Sequence, residues 1–158
     1  MDSSKVTCKF CNKNKPITAY FPSKIDARQC KDCIRLSRQR HINQSHVKFL
    51  TRSAQNLKHG RTKKGFRWTI DTQYIIDLWH SQDGKCAVSG LNMTHHRGAH
   101  NKKMPLNASI DRINNAEHYV PGNIQLVCYQ VNIMRHTLDV GEFEWWIRTI
   151  YEQQTSNH

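Results

Sequence analysis

Two cysteine pairs constrain this chain more than any other feature: Cys8-x-x-Cys11 and Cys30-x-x-Cys33, with 18 residues between the pairs. A two-residue gap lets both thiolates of a pair face one ion at about 2.3 Å, and two such pairs complete a tetrahedron. Zinc is the ion that takes four thiolates in this way. Lys9, Lys13, Arg28 and Lys31 flank the pairs and favour the thiolate form. Four ligands leave no open position, so the site is structural rather than catalytic. His41 and His46 lie downstream as rival ligands of little weight. Core-sized apolar side chains in residues 5–36 amount to little more than Val6, Phe10, Tyr20, Phe21 and Ile34. Without metal such a unit does not fold.

Charge adds the second constraint. The 158 residues carry 24 Lys+Arg against 12 Asp+Glu, a net charge of +12. Residues 1–64 hold 16 of the basic and 3 of the acidic residues; residues 65–158 hold 8 and 9. The whole excess sits in the first part, which implies a polyanion partner docking there, with nucleic acid the expected one. Arg52, Lys58, Arg61, Lys63 and Lys64 are the expected DNA-binding side chains. A hydrophobic fraction of 37% predicts a thin core that metal or a partner supplements. No apolar run is long enough to span a bilayer, and no apolar segment follows the first five residues, so neither a membrane anchor nor a signal peptide is expected. The expected compartment is the reducing cytoplasm, where paired cysteines bind metal rather than form disulfides.

Periodicity supplies the elements. Val47, Leu50, Ala54 and Leu57 recur at helical spacing, and the helix should stop near His59-Gly60. Asp71 is the expected N-cap of a second helix that presents Ile70, Tyr74, Ile75, Leu78 and Trp79 on one face. Residues 85–88 predict a short strand, 94–105 a polar loop, 106–113 a strand, 114–117 a turn, and Tyr119-Val120 the start of a return strand halted at Pro121-Gly122. Residues 123–135 predict a helix from the stripe Ile124, Val127, Cys128 and Val131. Asp139 and Glu142 make a capping box for a last helix that buries Phe143, Trp146, Ile147, Ile150 and Tyr151. Residues 153–158 should fray.

Within this pattern Asp111 lies near the end of a strand, and Asn132 and His136 lie one turn apart on a helix. A carboxylate, an amide oxygen and an imidazole from two packed elements suit a divalent ion such as Mg²⁺ or Mn²⁺.

The segments Asp111-Arg112-Ile113, Asn123-Ile124-Gln125-Leu126-Val127-Cys128 and Val131-Asn132-Ile133-Met134-Arg135 resemble the HNH, or His-Me finger, endonucleases with a ββα-metal core. The match covers about residues 83–138. The form Ser109-Ile110-Asp111-Arg112-Ile113, preceded by a CxxC…CxxC unit, resembles a branch common in phage-encoded proteins, as does Lys85 to Met93. The resemblance implies Asp111, Asn132 and His136 as ligands of the catalytic ion. It implies that Asn123 ties down the loop between strand and helix. Two departures stand out. Cys86 is followed by Ser89 and Cys128 by Val131 where many relatives carry second cysteines, so Cys86 and Cys128 read as packed thiols. The family's general base is a His, and Arg112 occupies its position. Arginine stays protonated and cannot take a proton, though it can hold a phosphate. His118 is the first candidate for the base, with His95, His96 and His100 behind it.

The expected class is α+β. Residues 5–36 form a Cys₄ zinc knuckle, 37–82 a basic helical linker that docks on DNA, 83–138 the ββα-metal core, and 139–153 a C-terminal packing helix. The expected function is metal-dependent DNA endonuclease, with catalytic Asp111, Arg112, Asn132 and His118, one structural Zn²⁺ and a catalytic Mg²⁺ or Mn²⁺. The alternative is a zinc-containing DNA-binding protein with a degenerate, inactive core. Monomer and dimer both remain open.

Overall fold

The structure, a computed structural model, describes residues 5–156. It is α+β: two separate two-stranded antiparallel sheets, and five helices packed around and beyond them.

The first sheet pairs β1 (Lys5–Thr7) with β2 (Asn14–Pro16). Cys8 and Cys30 are buried against it, and Tyr20 closes the cluster by donating from its hydroxyl to the Val6 carbonyl at 2.7 Å. Phe10 and Phe21, expected to fill this unit, are exposed instead. So small a unit buries too little apolar surface to hold itself together, which leaves its stability to the cysteines. Helix α1 (Lys31–Ile42) starts directly at Cys30 and runs on past residue 36 without a break.

Helix α2 (His46–Thr62) is capped by Ser45, whose side chain accepts from the Lys48 amide. It passes straight through Gly60, where a stop was expected. The left-handed residue that ends it is Gly65, at φ 82°. Its inward face is Phe49, Leu50 and Ala54 with Leu57 alongside, whereas Val47 is exposed. Helix α3 (Thr72–Ser81) is capped by Asp71 as expected, its carboxylate accepting from the Tyr74 amide at 2.7 Å. Ile75 is buried, and Tyr74, Leu78 and Trp79 pack beside it.

The second sheet pairs β3 (Ala108–Arg112) with β4 (Ile124–Cys128), in a register that sets Asp111 opposite Gln125. This corrects the expectation of a helix over 123–135. Residues 124–128 are a strand, and the helix is only α4 (Tyr129–Arg135). Both faces of β4 are largely covered, so its apolar residues form a run that periodicity alone cannot tell from a buried helix. The cross-strand partner decides. Residues 85–88 likewise form no strand: Lys85 makes a single bridge to Asn92, and the chain turns directly after Cys86. The Cys86 amide donates to the Leu91 carbonyl, and the Gly90 amide returns to the Cys86 carbonyl. The Cys86 sulfur accepts from the amides of Ser89 and Cys128, which packs both buried thiols into the core. Tyr119 makes a single bridge to Trp68 in place of a return strand.

Helix α5 (Val140–Thr155) has the expected capping box between Asp139 and Glu142. Of the apolar residues expected to be buried on it, Phe143 alone is; Trp146, Ile147, Ile150 and Tyr151 are exposed. Periodicity marks an apolar face without saying what covers it. The helix holds to Thr155, and residues 157–158 of the expected frayed end lie outside the described residues.

Candidate functional site

At the four cysteines the ligand sulfurs all lie within 4.8 Å of one another, and Cys8 Sγ and Cys33 Sγ are 3.7 Å apart. Two thiolates at about 2.3 Å from one zinc, at a tetrahedral angle, stand at that separation. The donor set and its geometry fit Zn²⁺. Burial opposes the Cys8 thiolate, but hydrogen bonds from the backbone amides of Cys30, Phe10 and Cys11 outweigh it and bring the thiol down to about 6. Burial, reinforced by bonds with the neighbouring thiols, pushes Cys33 up to about 12. The cluster contains cysteines alone, so neither His41 nor His46 joins it. His46 stacks on Trp79 instead, with ring centroids 5.2 Å apart.

A second centre lies where the β3–β4 sheet, α2 and α4 meet around a cleft of about 400 Å³. Asp111, Arg112, Asn132 and His136 all line it, together with Arg61, Arg97 and Lys103. Among the described residues, Asp111 is the one carboxylate on a wall that carries four cations.

Asp111 is buried and ion-paired with Arg135, which is also buried. Gln125, its cross-strand neighbour, donates to the same Oδ2 at 3.0 Å. Both bonds fall on Oδ2, and Asp111 also lines the cleft. The Arg135 guanidinium also donates to the carbonyls of Arg112 and Ile113 at 2.8 and 2.6 Å. It therefore holds the end of β3 as well as the carboxylate. Sequence reading missed this residue: nothing in the spacing of α4 marks an arginine as turned inward.

Asn132 reaches β3 as well. Its Nδ2 donates to Ser109 Oγ at 2.8 Å and to the Ile110 carbonyl at 3.3 Å. A carbonyl can only accept, so this orientation is fixed and the Asn132 amide oxygen is the atom left free. His136 does not continue the face of α4 as expected. It is the C-cap, at φ 48°, and the chain turns there. That turn still leaves it on the cleft wall, where it is the one imidazole. A carboxylate, an amide and an imidazole thus line one cleft.

Arg112 Nη1 donates to the carbonyls of Asn115 and Glu117 at 2.9 and 2.7 Å. Its guanidinium lies over the Phe66 ring, 4.5 Å from the centroid. It thus clamps the turn between the strands while lining the cleft. His118 is not on the cleft wall. Its Nδ1 accepts from the Arg67 amide at 3.3 Å, which in the neutral ring leaves the proton on Nε2. Asn123 does tie down a loop, but it is the one between the two strands. It bonds to both backbone groups of Asn114 and to the His118 carbonyl.

The expected DNA-docking residues divide. Arg61 lines the cleft, and Arg52 lines a smaller pocket beside it. Lys58, Lys63 and Lys64 are exposed at the end of α2. Among the described residues, no helix is long and apolar enough to cross a membrane.

No protein-family model matches the chain, and no curated protein does. Among solved structures, that of the rare-cutting HNH restriction endonuclease PacI is similar to it at 17% identity. That similarity covers 96% of this chain and 97% of that one, with a TM-score of 0.47.

Proposed function

We propose that the chain is a metal-dependent DNA endonuclease whose reacting centre is the cleft at Asp111, Asn132 and His136. The observation that carries this reading is the wall itself: a carboxylate, an amide and an imidazole beside four cations, with no second carboxylate among the described residues. Such a wall attracts anions and suits a phosphodiester.

In this reading Asp111 Oδ1, Asn132 Oδ1 and His136 hold a Mg²⁺ or Mn²⁺ ion, which when bound would stabilise charge on the phosphoryl group and the leaving oxygen. Arg112 has one side of its guanidinium committed to the turn carbonyls and offers the rest to the phosphate, where it would stabilise developing negative charge. Arg61 and Lys103 would fix the neighbouring backbone, which supplies affinity and little sequence information. His118 has its Nδ1 lone pair engaged, so its loss should cost far less than the roughly 10²–10⁴-fold expected for a general base.

One observation favours the alternative of a DNA-binding protein with an inactive core. The Arg135 charge sits on the same carboxylate that must attract the cation. Purified protein on supercoiled plasmid, with Mg²⁺ and with Mn²⁺, separates the two. Nicking that disappears in Asn132→Ala supports the enzyme. Intact binding with no nicking in either metal sinks it.

A further inference from the structure

Beside the cleft, a smaller pocket of about 110 Å³ lies between α1, α2 and the loop that precedes β3. Its wall brings together Arg35 and Arg38 of α1, Arg52 of α2 and Arg97 of the loop. Among the described residues, no acidic one lines it. Arg35 has a partner in Asp32, at 3.4 Å, although Asp32 is held more closely by Lys15 at 2.6 Å. Among the described residues, Arg38, Arg52 and Arg97 pair with no carboxylate.

Four guanidinium groups do not gather around a pocket without cost, and here the scaffold enforces the gathering. Gln39 donates to the carbonyls of Arg97 and Gly98 at 3.0 and 2.6 Å. Asn43 donates to the Arg97 carbonyl at 3.1 Å and accepts from the Arg97 amide at 3.0 Å. The backbone of Arg97 is thus clamped to α1 from both sides. Its guanidinium rests on the Phe49 ring, 5.4 Å from the centroid. Burial, with the nearby charge of Arg52, pulls Arg97 below the usual arginine range. The charged side chain is therefore held in a place that disfavours it until an anion arrives. The pocket has room for a phosphate group among these side chains. Arg97 and Asn56 line both this pocket and the cleft, so the two adjoin.

We infer that this arginine pocket seats one backbone phosphate of the DNA strand that lies in the adjoining cleft. Arg38, Arg52 and Arg97 supply planar donors that fork onto phosphate oxygens, as a lysine cannot. The inference rests on the nuclease reading for the identity of the strand, but its test does not need cleavage.

The test is binding of a fluorescein-labelled DNA duplex by the full zinc-loaded chain, without Mg²⁺, over a range of KCl. Arg38→Gln/Arg52→Gln should lose about tenfold or more in affinity at low salt. Its slope of log K against log salt should fall by about 1 for the lost contact. Arg148→Gln, a charge loss on α5, should change neither. Arg38→Lys/Arg52→Lys keeps the charge and should fall between, and a matching melting curve shows that each variant is folded. If wild type binds and the glutamine double variant matches it in affinity and slope, the inference is overturned while the nuclease reading stands. If wild type binds no DNA, both are overturned. Titration with inorganic phosphate identifies the source of the phosphate. Tight binding that the double variant loses, with DNA affinity unchanged, would make this a seat for a free anion and overturn the inference as well.

Discussion

Arg135 Nη1 meets Asp111 Oδ2 at 2.5 Å, with both side chains almost completely buried. The pair joins α4 to β3 at the point where the chemistry is proposed. Removing one partner of a buried ion pair leaves the other charge without compensation, at a cost of about 3–5 kcal/mol. Arg135→Ala also strips the Arg112 and Ile113 carbonyls of their donor. Urea unfolding of Arg135→Ala should therefore show a loss in this range, larger than for Arg135→Lys. An unchanged midpoint would mean that the pair contributes nothing net.

The zinc cluster predicts a local collapse. Elemental analysis should find one zinc per chain, and Cys11→Ser should lower that content. Chelation of wild type should erase the amide protection of residues 5–36 in hydrogen exchange, because the metal is most of what folds this unit. Protection at Leu126 and Val127, in the separate β3–β4 core, should persist.

The cleft predicts a division between side chains. Asn132→Ala removes the proposed ligand oxygen and two donor contacts to β3. It should lower nicking by about 10²-fold or more while costing roughly 1–3 kcal/mol of stability. His118→Ala should lower nicking by less than about tenfold, well below the loss of a general base. A larger effect of His118→Ala than of Asn132→Ala would reverse these roles.

A histidine cluster predicts a pH dependence of stability. Burial, then the charge of His80, holds His46 below the ordinary imidazole range. Burial, then the charges of His46 and His96, does the same to His95. The unfolded chain thus takes up protons first as pH falls. The stability these neutral rings contribute is complete above about pH 6.5 and declines on acidification toward their folded values. His46→Phe keeps a ring against Trp79 and removes one titration. Its melting temperature should fall less than that of wild type between about pH 7.5 and pH 5.5.

The sequence was most legible where chemistry is local. The CxxC spacing, the Asp71 cap and the Asp139–Glu142 capping box each need only neighbours along the chain, and each stands in the structure. It was least legible where a partner decides. Ile124, Val127 and Cys128 fit a helical stripe as well as a strand until Ala108–Arg112 lies beside them. Arg135 is buried because three acceptors from β3 and the residues after it converge on its guanidinium. No spacing along α4 encodes that. Asp111, Asn132 and His136 do share one cleft wall, though by a route other than the expected helix face.

Helix α1 grows out of Cys30 and ends beside Asn43, the residue that grips Arg97. That continuity sets where the chain can be cut and rejoined. A chimera that exchanges the metal-binding unit at residue 36 would sever a helix in mid-course and part the cysteines from Gln39 and Asn43, which hold the loop before β3. A junction after Asn43 carries cysteines, helix and anchor together. The transferable module is thus longer than its ligand spacing suggests, and a graft limited to the cysteines would bring the zinc without the grip.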